Sequence, residues 1–287
     1  MQVRYWWLAA RPKTLSISVV PVVVGIALAW HSEERFRPLI AAATLLAALL
    51  IQIGTNLYND AADFERGADR DDRLGPDRAA ARGWLSPAAL KRGAHRAFAS
   101  AFLLGVPLAW AGGWPIVALG LLSVAAGYAY TGGRHPIAYS ASGELFAFLF
   151  FGPAAVAGSA YLQTGTVSDG TLATGAAIGL FAAAVLLVNN YRDLDSDRRA
   201  GKLTLVHFLG RRGARRLYAA LVLLPFLLPP VLGRQGLLVW LALPLALLLI
   251  RDVFRLPPGR EFNGVLARTA RLEALFGVLL TLALLLP

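Results

Sequence analysis

The chain is dominated by long, uninterrupted apolar runs that alternate with shorter charged segments. Hydrophobic residues make up 57% of its 287 residues. A soluble core cannot bury so much apolar surface, whereas a helix of roughly 20 apolar residues spans a bilayer. Every backbone polar group must then be satisfied within the chain, which leaves helices or a closed barrel. Barrel strands would alternate in polarity, so the continuous runs predict an all-α, polytopic membrane protein.

The sequence contains nine such apolar runs, and each is predicted to form one transmembrane helix. Two pairs of runs are separated only by Gly-Gly-Trp-Pro at 112–115 and by Gly-Arg-Gln-Gly at 233–236. Each pair is either a tight hairpin or one kinked helix. No polar linker is long enough to divide the chain, which predicts a single domain over residues 1–287. The predicted spans are 15–30, 39–58, 97–112, 114–130, 143–161, 171–191, 217–233, 235–250 and 272–286.

The basic residues support nine spans and predict their orientation. With the N-terminus in the cytoplasm, 25 of the 28 Lys and Arg residues fall in cytoplasmic segments, as the positive-inside rule requires. Merging either close pair of runs would reverse all later segments and remove this asymmetry. We therefore expect a cytoplasmic N-terminus and an outside C-terminus, and attribute the net charge of +11 to topology rather than to nucleic acid. Cysteine is absent, which excludes disulfides and a cysteine nucleophile.

Two acidic motifs lie where predicted spans leave the membrane, in the cytoplasmic loops 59–96 and 192–216. Each contains Asn-x-x-x-Asp and a further aspartate, and at helical spacing these side chains share one face. Carboxylates crowded at helix C-termini repel one another unless a cation intervenes. Magnesium uses one or two carboxylates together with substrate phosphates, so the motifs predict a Mg²⁺–diphosphate site. The predicted metal ligands are Asn56, Asp60, Asp63, Asn189, Asp193 and Asp197.

Basic and aromatic residues near the same loops complete the candidate site. Arginine and lysine suit phosphate oxygens, and the candidates for diphosphate binding are Arg70, Arg73, Arg134 and Lys202. The candidates for contact with an aromatic substrate are Tyr130, Tyr139 and Glu144. Each candidate also has an ordinary interpretation: an acidic residue is simply solvated, a basic residue follows the positive-inside rule, and a tyrosine anchors a helix at the membrane interface. For Glu65 and Asp77 we adopt the ordinary interpretation of solvated charges.

On these motifs the sequence resembles the UbiA superfamily of intramembrane aromatic prenyltransferases, and within it the menaquinone branch. The stretches that carry the resemblance are residues 11–15, 56–76, 143–165 and 189–205. Many members space their first motif as Asp-x-x-x-Asp, whereas this chain has Asp60-x-x-Asp63. The menaquinone branch is similar to this shorter form.

The resemblance implies a bundle of helices around a central cavity that opens to the cytoplasmic side of a bacterial inner membrane. It implies transfer of a polyprenyl group from polyprenyl diphosphate to 1,4-dihydroxy-2-naphthoate, with release of diphosphate and CO₂ and formation of demethylmenaquinone. Mg²⁺ is the expected cofactor, and the expected catalytic residues are Asp60, Asp63, Asp193 and Asp197.

Two alternatives remain open at this point. One is a sister prenyltransferase with 4-hydroxybenzoate, homogentisate, haem or chlorophyllide as acceptor. The other is a secondary transporter, although transporters bind ions near the bilayer midplane, and the acidic motifs here are predicted at the membrane edge.

Overall fold

The computed structural model describes residues 2–68, 74–228 and 234–286, and all regular structure within them is helical. The predicted all-α class is confirmed. The α-helices of the described residues are α1 (Gln2–Ala10), α2 (Ser16–Glu33), α3 (Pro38–Glu65), α4 (Pro87–Ala129), α5 (Gly143–Leu149), α6 (Ala155–Thr164), α7 (Asp169–Arg199), α8 (Leu205–Leu223), α9 (Leu243–Arg255) and α10 (Phe262–Leu285).

The described helices include six that are long and apolar enough to cross a membrane. They are Ser16–Glu33, Pro38–Glu65, Pro87–Ala129, Gly143–Thr164, Asp169–Arg199 and Gln235–Arg255. The chain is therefore an integral membrane protein. The predicted number of spans, nine, is larger than six, partly because α4 alone covers two of the predicted spans. The number nine stays a prediction.

α4 is interrupted where the sequence predicts a break. Gly113 has φ 66° and ψ −157°, a conformation that residues with a side chain rarely adopt. Pro115 follows and has no backbone N–H to donate. The 43 residues of α4 therefore form two helical arms that meet at Gly113. The second predicted break, at 233–236, falls partly outside the described residues, and Arg234–Ala242 forms a 3₁₀ helix.

Two predicted span boundaries differ from the observed helices. The predicted span at 217–233 corresponds to α8, which begins earlier, at Leu205. The predicted span at 272–286 corresponds to α10, which begins at Phe262. Hydropathy marks only the apolar part of a helix, and both helices continue into segments that carry arginines.

The core of the bundle surrounds α7, most of whose side chains between Thr171 and Asp197 are buried. Its apolar residues pack in one cluster with α2, α8, α9 and α10. In contrast, α3 and α4 pack mainly against each other and leave long apolar faces exposed. Exposed apolar faces of this length are suited to lipid.

Three glycines fix the position of the α5–α6 segment against α7. A π-helical turn at Phe150–Ala154 joins α5 to α6 and contains Pro153. A Cβ on Gly152 would lie 2.5 Å from the carbonyl oxygen of Gly175 and 2.6 Å from the Cα of Gly179. The two backbones are therefore in direct contact, a spacing that only glycine permits.

Candidate active site

A cavity of about 990 Å³ lies between the α3–α4 pair and the helices around α7. On α3 its lining residues extend from Thr44 to Asp63, roughly 28 Å of helix rise. This is close to the thickness of the hydrocarbon core of a bilayer. The end near Asp63 is polar and charged, whereas the rest of the lining is mainly apolar. The cavity therefore has room for a long apolar molecule with an anionic end.

The cavity wall includes exposed apolar residues of α4. Phe102, Val106 and Leu121 line the cavity, and more than half of the surface of each is exposed. These side chains therefore do not close the cavity off at this position.

The first acidic motif lies at the end of α3, and its two aspartates have different surroundings. Asp60 is buried, and its two carboxylate oxygens accept hydrogen bonds from the backbone N–H groups of Ala79 (3.0 Å) and Ala80 (3.1 Å). Asp63 accepts a hydrogen bond from the hydroxyl of Tyr139 (3.1 Å) and lies 4.0 Å from the guanidinium of Arg78. Asp60 thus anchors the following loop, while Asp63 is held by side chains.

The second acidic motif lies at the end of α7 and is organised by Arg192. This buried guanidinium donates to both carboxylate oxygens of Asp193, at 2.8 and 2.6 Å. It also donates to the amide oxygens of Asn189 (2.9 Å) and Asn263 (2.7 Å). Asn263 in turn donates to the carbonyl oxygen of Leu74 at 2.9 Å, which ties α10 to the loop after α3.

Asp197 is the least satisfied carboxylate of the two motifs. Its Oδ1 lies 3.6 Å from the ammonium of Lys202. Its Oδ2 is buried and has no hydrogen-bond partner among the described residues. The charges of Asp193 and Asp63 act on it repulsively. A buried carboxylate oxygen in this state is stabilised by any cation that reaches it.

Tyr139 connects the two motifs. Its hydroxyl donates to Asp63, and its backbone carbonyl accepts from the N–H of Leu203 at 3.1 Å. The cationic groups of Lys202 and Arg66 lie over its ring, 5.2 and 5.3 Å from the centroid. Burial, together with the neighbouring Asp63 carboxylate, raises the pKa of Tyr139 above its ordinary value. The phenol therefore stays protonated and remains a hydrogen-bond donor.

Arg11 is a site residue to which the sequence analysis gave no role, although it opens one of the stretches that carry the resemblance. It has a φ of 56°, uncommon for a residue with a side chain. Its guanidinium lines the cavity and donates to Asn59 at 3.0 Å. It also interacts electrostatically with Asp60, Asp63 and Arg192. A positive φ at a residue other than glycine could not be predicted from the sequence.

The remaining predicted residues divide according to whether they reach the cavity. Asn56, Asn189, Tyr130 and Lys202 line it. Asn56 is also bonded to the carbonyl oxygen of Ala10 at 2.9 Å. Arg70 and Arg73 lie outside the described residues.

Five predicted residues are not part of the cavity lining within the described chain. They are Asp193, Asp197, Tyr139, Arg134 and Glu144. Arg134 is exposed, in the turn after Gly133, and does not belong to the cavity lining of the described chain. The structure therefore does not bring it together with the other diphosphate candidates. Glu144 is buried and accepts a hydrogen bond from Asn190 at 2.9 Å. Because Asn190 lines the cavity, Glu144 reaches it only through that amide.

The donor set fits magnesium only with help from a ligand. Asp63, Asp197 and the amide oxygens provide hard oxygen donors. Within the described residues, however, no three His, Cys, Asp or Glu side chains are close enough together to hold a metal ion. Asp60 already accepts hydrogen bonds from backbone N–H groups, and Asp193 already accepts hydrogen bonds from Arg192. This arrangement suits an ion that takes one or two carboxylates and completes its coordination with phosphate oxygens.

A charged cavity mouth joined to an apolar interior within a bundle of membrane helices defines a protein that handles a lipid-like molecule by its anionic end. The chain belongs to the UbiA prenyltransferase family, whose model matches residues 18–257. The resemblance seen in the sequence is thereby confirmed.

Relatives of known activity match the chain over nearly its full length. A 1,4-dihydroxy-2-naphthoate octaprenyltransferase from Escherichia coli is 36% identical, with 96% of this chain and 92% of the relative covered. The enzyme of the same name from Mycobacterium tuberculosis is 38% identical, with 92% and 91% covered.

Solved structures share the fold at low sequence identity. A UbiA homolog from Aeropyrum pernix K1 has a TM-score of 0.69 at 16% identity, over 95% of this chain and 97% of that chain. A UbiA homolog from Archaeoglobus fulgidus bound to DMAPP and Mg²⁺ has a TM-score of 0.67 at 16% identity, with 98% and 99% covered.

Proposed function

We propose that the protein transfers a polyprenyl group from polyprenyl diphosphate to 1,4-dihydroxy-2-naphthoate, as a step of menaquinone biosynthesis. The observation that carries the proposal is the cavity of about 990 Å³, whose charged end is lined by Arg11, by Asp60 and Asp63 of the first motif, and by Asn189 and Arg192 of the second. The activity named for relatives that are 36% and 38% identical over almost the whole chain supports the same choice of acceptor.

The diphosphate is proposed to bind at the charged end of the cavity. Arg11 and Lys202 line this end and offer donors to phosphate oxygens. Asp63 and Asp197 are the residues proposed to hold Mg²⁺. Within the described part of the chain, Asp63 accepts its hydrogen bond from the side chain of Tyr139 and not from the backbone, and Asp197 has an oxygen without a partner. The bound ion would neutralise charge that develops on the leaving diphosphate.

The apolar walls of the cavity are proposed to hold the prenyl chain and to exclude water from the reaction. The allylic C–O bond breaks, and diphosphate leaves with the bonding electron pair. The electron-rich naphthoate ring then forms a C–C bond at the carbon that bears the carboxylate. Loss of CO₂ returns an electron pair to the ring and restores its aromaticity, so no protein nucleophile is needed. The product is the quinol form of demethylmenaquinone.

Tyr130 is proposed to contact the aromatic acceptor, because it lines the cavity close to Arg11 and Asp63. Tyr139 and Glu144 are proposed to act indirectly. Tyr139 holds Asp63 in place, and Glu144 holds Asn190.

The membrane is proposed to be the inner membrane of a bacterium, with the N-terminus and the acidic motifs on the cytoplasmic side. The distribution of Lys and Arg along the sequence supports this orientation. Accessibility of single cysteines, introduced into this cysteine-free chain at exposed Arg134 and at exposed Arg35, tests it. A membrane-impermeant thiol reagent added outside intact cells should label only the second position.

The activity is tested with purified protein, Mg²⁺ and farnesyl diphosphate, offered separately with 1,4-dihydroxy-2-naphthoate, 4-hydroxybenzoate or homogentisate. Mass spectrometry of the products and release of labelled CO₂ are measured together. The proposal expects a prenylated naphthoquinol and one CO₂ per product, with no reaction in excess chelator. A prenylated naphthoate that keeps its carboxylate, or preference for 4-hydroxybenzoate, would move the protein to another branch of the family.

A further inference from the structure

A second pocket, of about 290 Å³, lies at the end of the bundle opposite to the aspartates. It is formed by the loop between α2 and α3, the break in α4 and the end of α6. Its lining includes Arg35, Arg37, Gly112, Tyr161 and Gln163. Since α3 begins next to Arg37 and ends near Asp63, roughly 40 Å of helix separate this pocket from the acidic motifs. The pocket is therefore not part of the catalytic cavity mouth.

Gln163 gives this pocket a buried and unused hydrogen-bond donor. The residue is only 2% exposed. Its Oε1 accepts from the backbone N–H of Arg37 at 2.6 Å, while its buried Nε2 has no partner among the described residues. An unsatisfied buried donor destabilises the folded protein. An acceptor that enters the pocket removes this destabilisation.

Two arginines make the pocket suitable for an anionic acceptor. Arg37 donates from one guanidinium nitrogen to the carbonyl oxygen of Leu162 at 3.2 Å, and a guanidinium has five N–H groups in all. Arg35 lies 3.8 Å from the carboxylate of Glu33, but its side chain is 63% exposed. Glu33 offsets part of the positive charge, so recognition depends on directed donors rather than on net charge. The N-terminus of α3 adds partial positive charge at the same place.

Exposed apolar side chains surround the pocket. Trp110 and Trp114, on either side of the break in α4, are 93% and 75% exposed. Phe36 and Leu39, next to Arg37, are 55% and 84% exposed. Tryptophan is enriched at the level of lipid headgroups. A ligand of this pocket would therefore have an anionic group among directed donors and apolar chains beside these residues.

We propose that this pocket binds the phosphodiester group of a membrane phospholipid. The phosphate oxygens accept hydrogen bonds from the guanidinium groups of Arg35 and Arg37 and from Nε2 of Gln163. The acyl chains of the lipid lie along the exposed apolar surface near Trp110 and Trp114. Such a lipid joins the α2–α3 loop to the end of α6 at the face opposite to the acidic motifs.

The test is native mass spectrometry of the purified full-length protein in detergent, titrated with 1-palmitoyl-2-oleoyl-phosphatidylglycerol. The same titration with 1-palmitoyl-2-oleoyl-glycerol removes only the phosphate headgroup, and titration with glycerol 3-phosphate removes only the acyl chains. The proposal expects one tight binding event with the phospholipid and none with the other two. If the diacylglycerol binds equally well, the phosphate has no role; if glycerol 3-phosphate binds equally well, the ligand is a soluble phosphate and not a lipid.

Matched variants locate the site. Replacing Arg35 and Arg37 together by Gln should weaken the tight event about tenfold or more, because charge-assisted hydrogen bonds are lost. Gln163→Glu keeps the acceptor for the Arg37 N–H but replaces the unused donor by an anionic oxygen, and it should weaken binding similarly. The control replaces Arg92 and Arg96, two exposed arginines on α4 outside the pocket, by Gln. Equal loss in control and pocket variants would overturn the proposal, as would unchanged binding in the Arg35/Arg37 variant.

Two further measurements separate binding from folding and from catalysis. The thermal unfolding midpoint without added lipid should change little in the Arg35/Arg37 variant, since both side chains are exposed and the interaction lost with the backbone is the hydrogen bond from Arg37 to Leu162. Prenyl transfer in detergent should also be unchanged, because neither residue lines the catalytic cavity. A variant that loses lipid binding but keeps both properties supports the site independently of the proposed activity.

Discussion

Asp60→Asn should release the loop after α3, and the magnitude of this effect follows from two hydrogen bonds. Each carboxylate oxygen of Asp60 accepts one backbone N–H, from Ala79 or from Ala80. An asparagine keeps one acceptor oxygen and turns an NH₂ group towards the other N–H. At least one hydrogen bond to a charged acceptor is lost, at a cost of about 1.5–3 kcal/mol.

The loss should appear as faster amide hydrogen exchange in this loop. At about 1.4 kcal/mol for each factor of ten, exchange at Ala79 and Ala80 should rise roughly 10- to 150-fold. The assay is hydrogen–deuterium exchange of the variant in detergent, read on peptides that contain residues 79 and 80. Asp63→Asn is the matched control, because Asp63 interacts with the side chains of Tyr139 and Arg78. Unchanged exchange in Asp60→Asn, or the same increase in both variants, would refute the anchoring role of Asp60.

Three further predictions concern activity and stability. Asp63→Asn should lower kcat/KM for the prenyl diphosphate roughly 100-fold or more in an initial-rate assay, because it removes a charge that stabilises the leaving group through the metal. The control is Glu65→Gln, at an exposed residue paired with a lysine, and its kcat/KM should stay close to that of wild type. Tyr139→Phe removes one hydrogen bond to the Asp63 carboxylate and should reduce kcat/KM by about 10- to 100-fold. If the activity of this variant depended on Mg²⁺ concentration as in wild type, the role of Tyr139 in holding Asp63 would be contradicted. Gly179→Ala places a methyl group against the backbone carbonyl of Phe148 and should destabilise the fold by about 1–3 kcal/mol. The control is Gly170→Ala on the same helix, where the added methyl group would meet only the hydroxyl of Ser168, at an ordinary contact distance of 3.7 Å. Equal thermal unfolding midpoints for the two variants would show that the tight packing is not required.

The helical architecture could be predicted because it depends on local features of the sequence. Continuous apolar runs identify membrane helices without knowledge of their partners. The break in α4 was also predictable, since Gly113 and Pro115 each disfavour an uninterrupted helix. The full extent of α8 and α10 was not, because the N-terminal halves of both helices carry arginines and lie outside the apolar windows.

The location of the two acidic motifs was likewise predictable, but the partner of each carboxylate was not. The motifs lie at the ends of α3 and α7, as helical spacing indicates. Asp60, however, bonds to backbone groups 19 and 20 residues later in the sequence. Asp193 is paired with the adjacent Arg192. Such pairings depend on tertiary structure, so the individual metal ligands stay a prediction.

The basic residues show the limit of an argument from position alone. Arg134 and Arg11 both flank predicted spans, and neither sequence position indicates where the guanidinium lies. The structure leaves Arg134 exposed and brings Arg11 to the cavity through a backbone conformation with positive φ. Position next to a predicted span is therefore a weak guide to membership of the site.

Phe102, Val106 and Leu121, the exposed apolar residues of α4 in the cavity wall, suggest where the prenyl donor enters. A prenyl donor that enters beside them arrives by diffusion within the plane of the bilayer. The concentration that governs its encounter with the enzyme is then its mole fraction among the lipids, and the volume of the aqueous phase is irrelevant. Adding empty vesicles that exchange lipid with the enzyme's own bilayer should slow turnover at a fixed total amount of donor. Diluting the same vesicles with buffer should not change the turnover of each enzyme molecule while the acceptor is saturating.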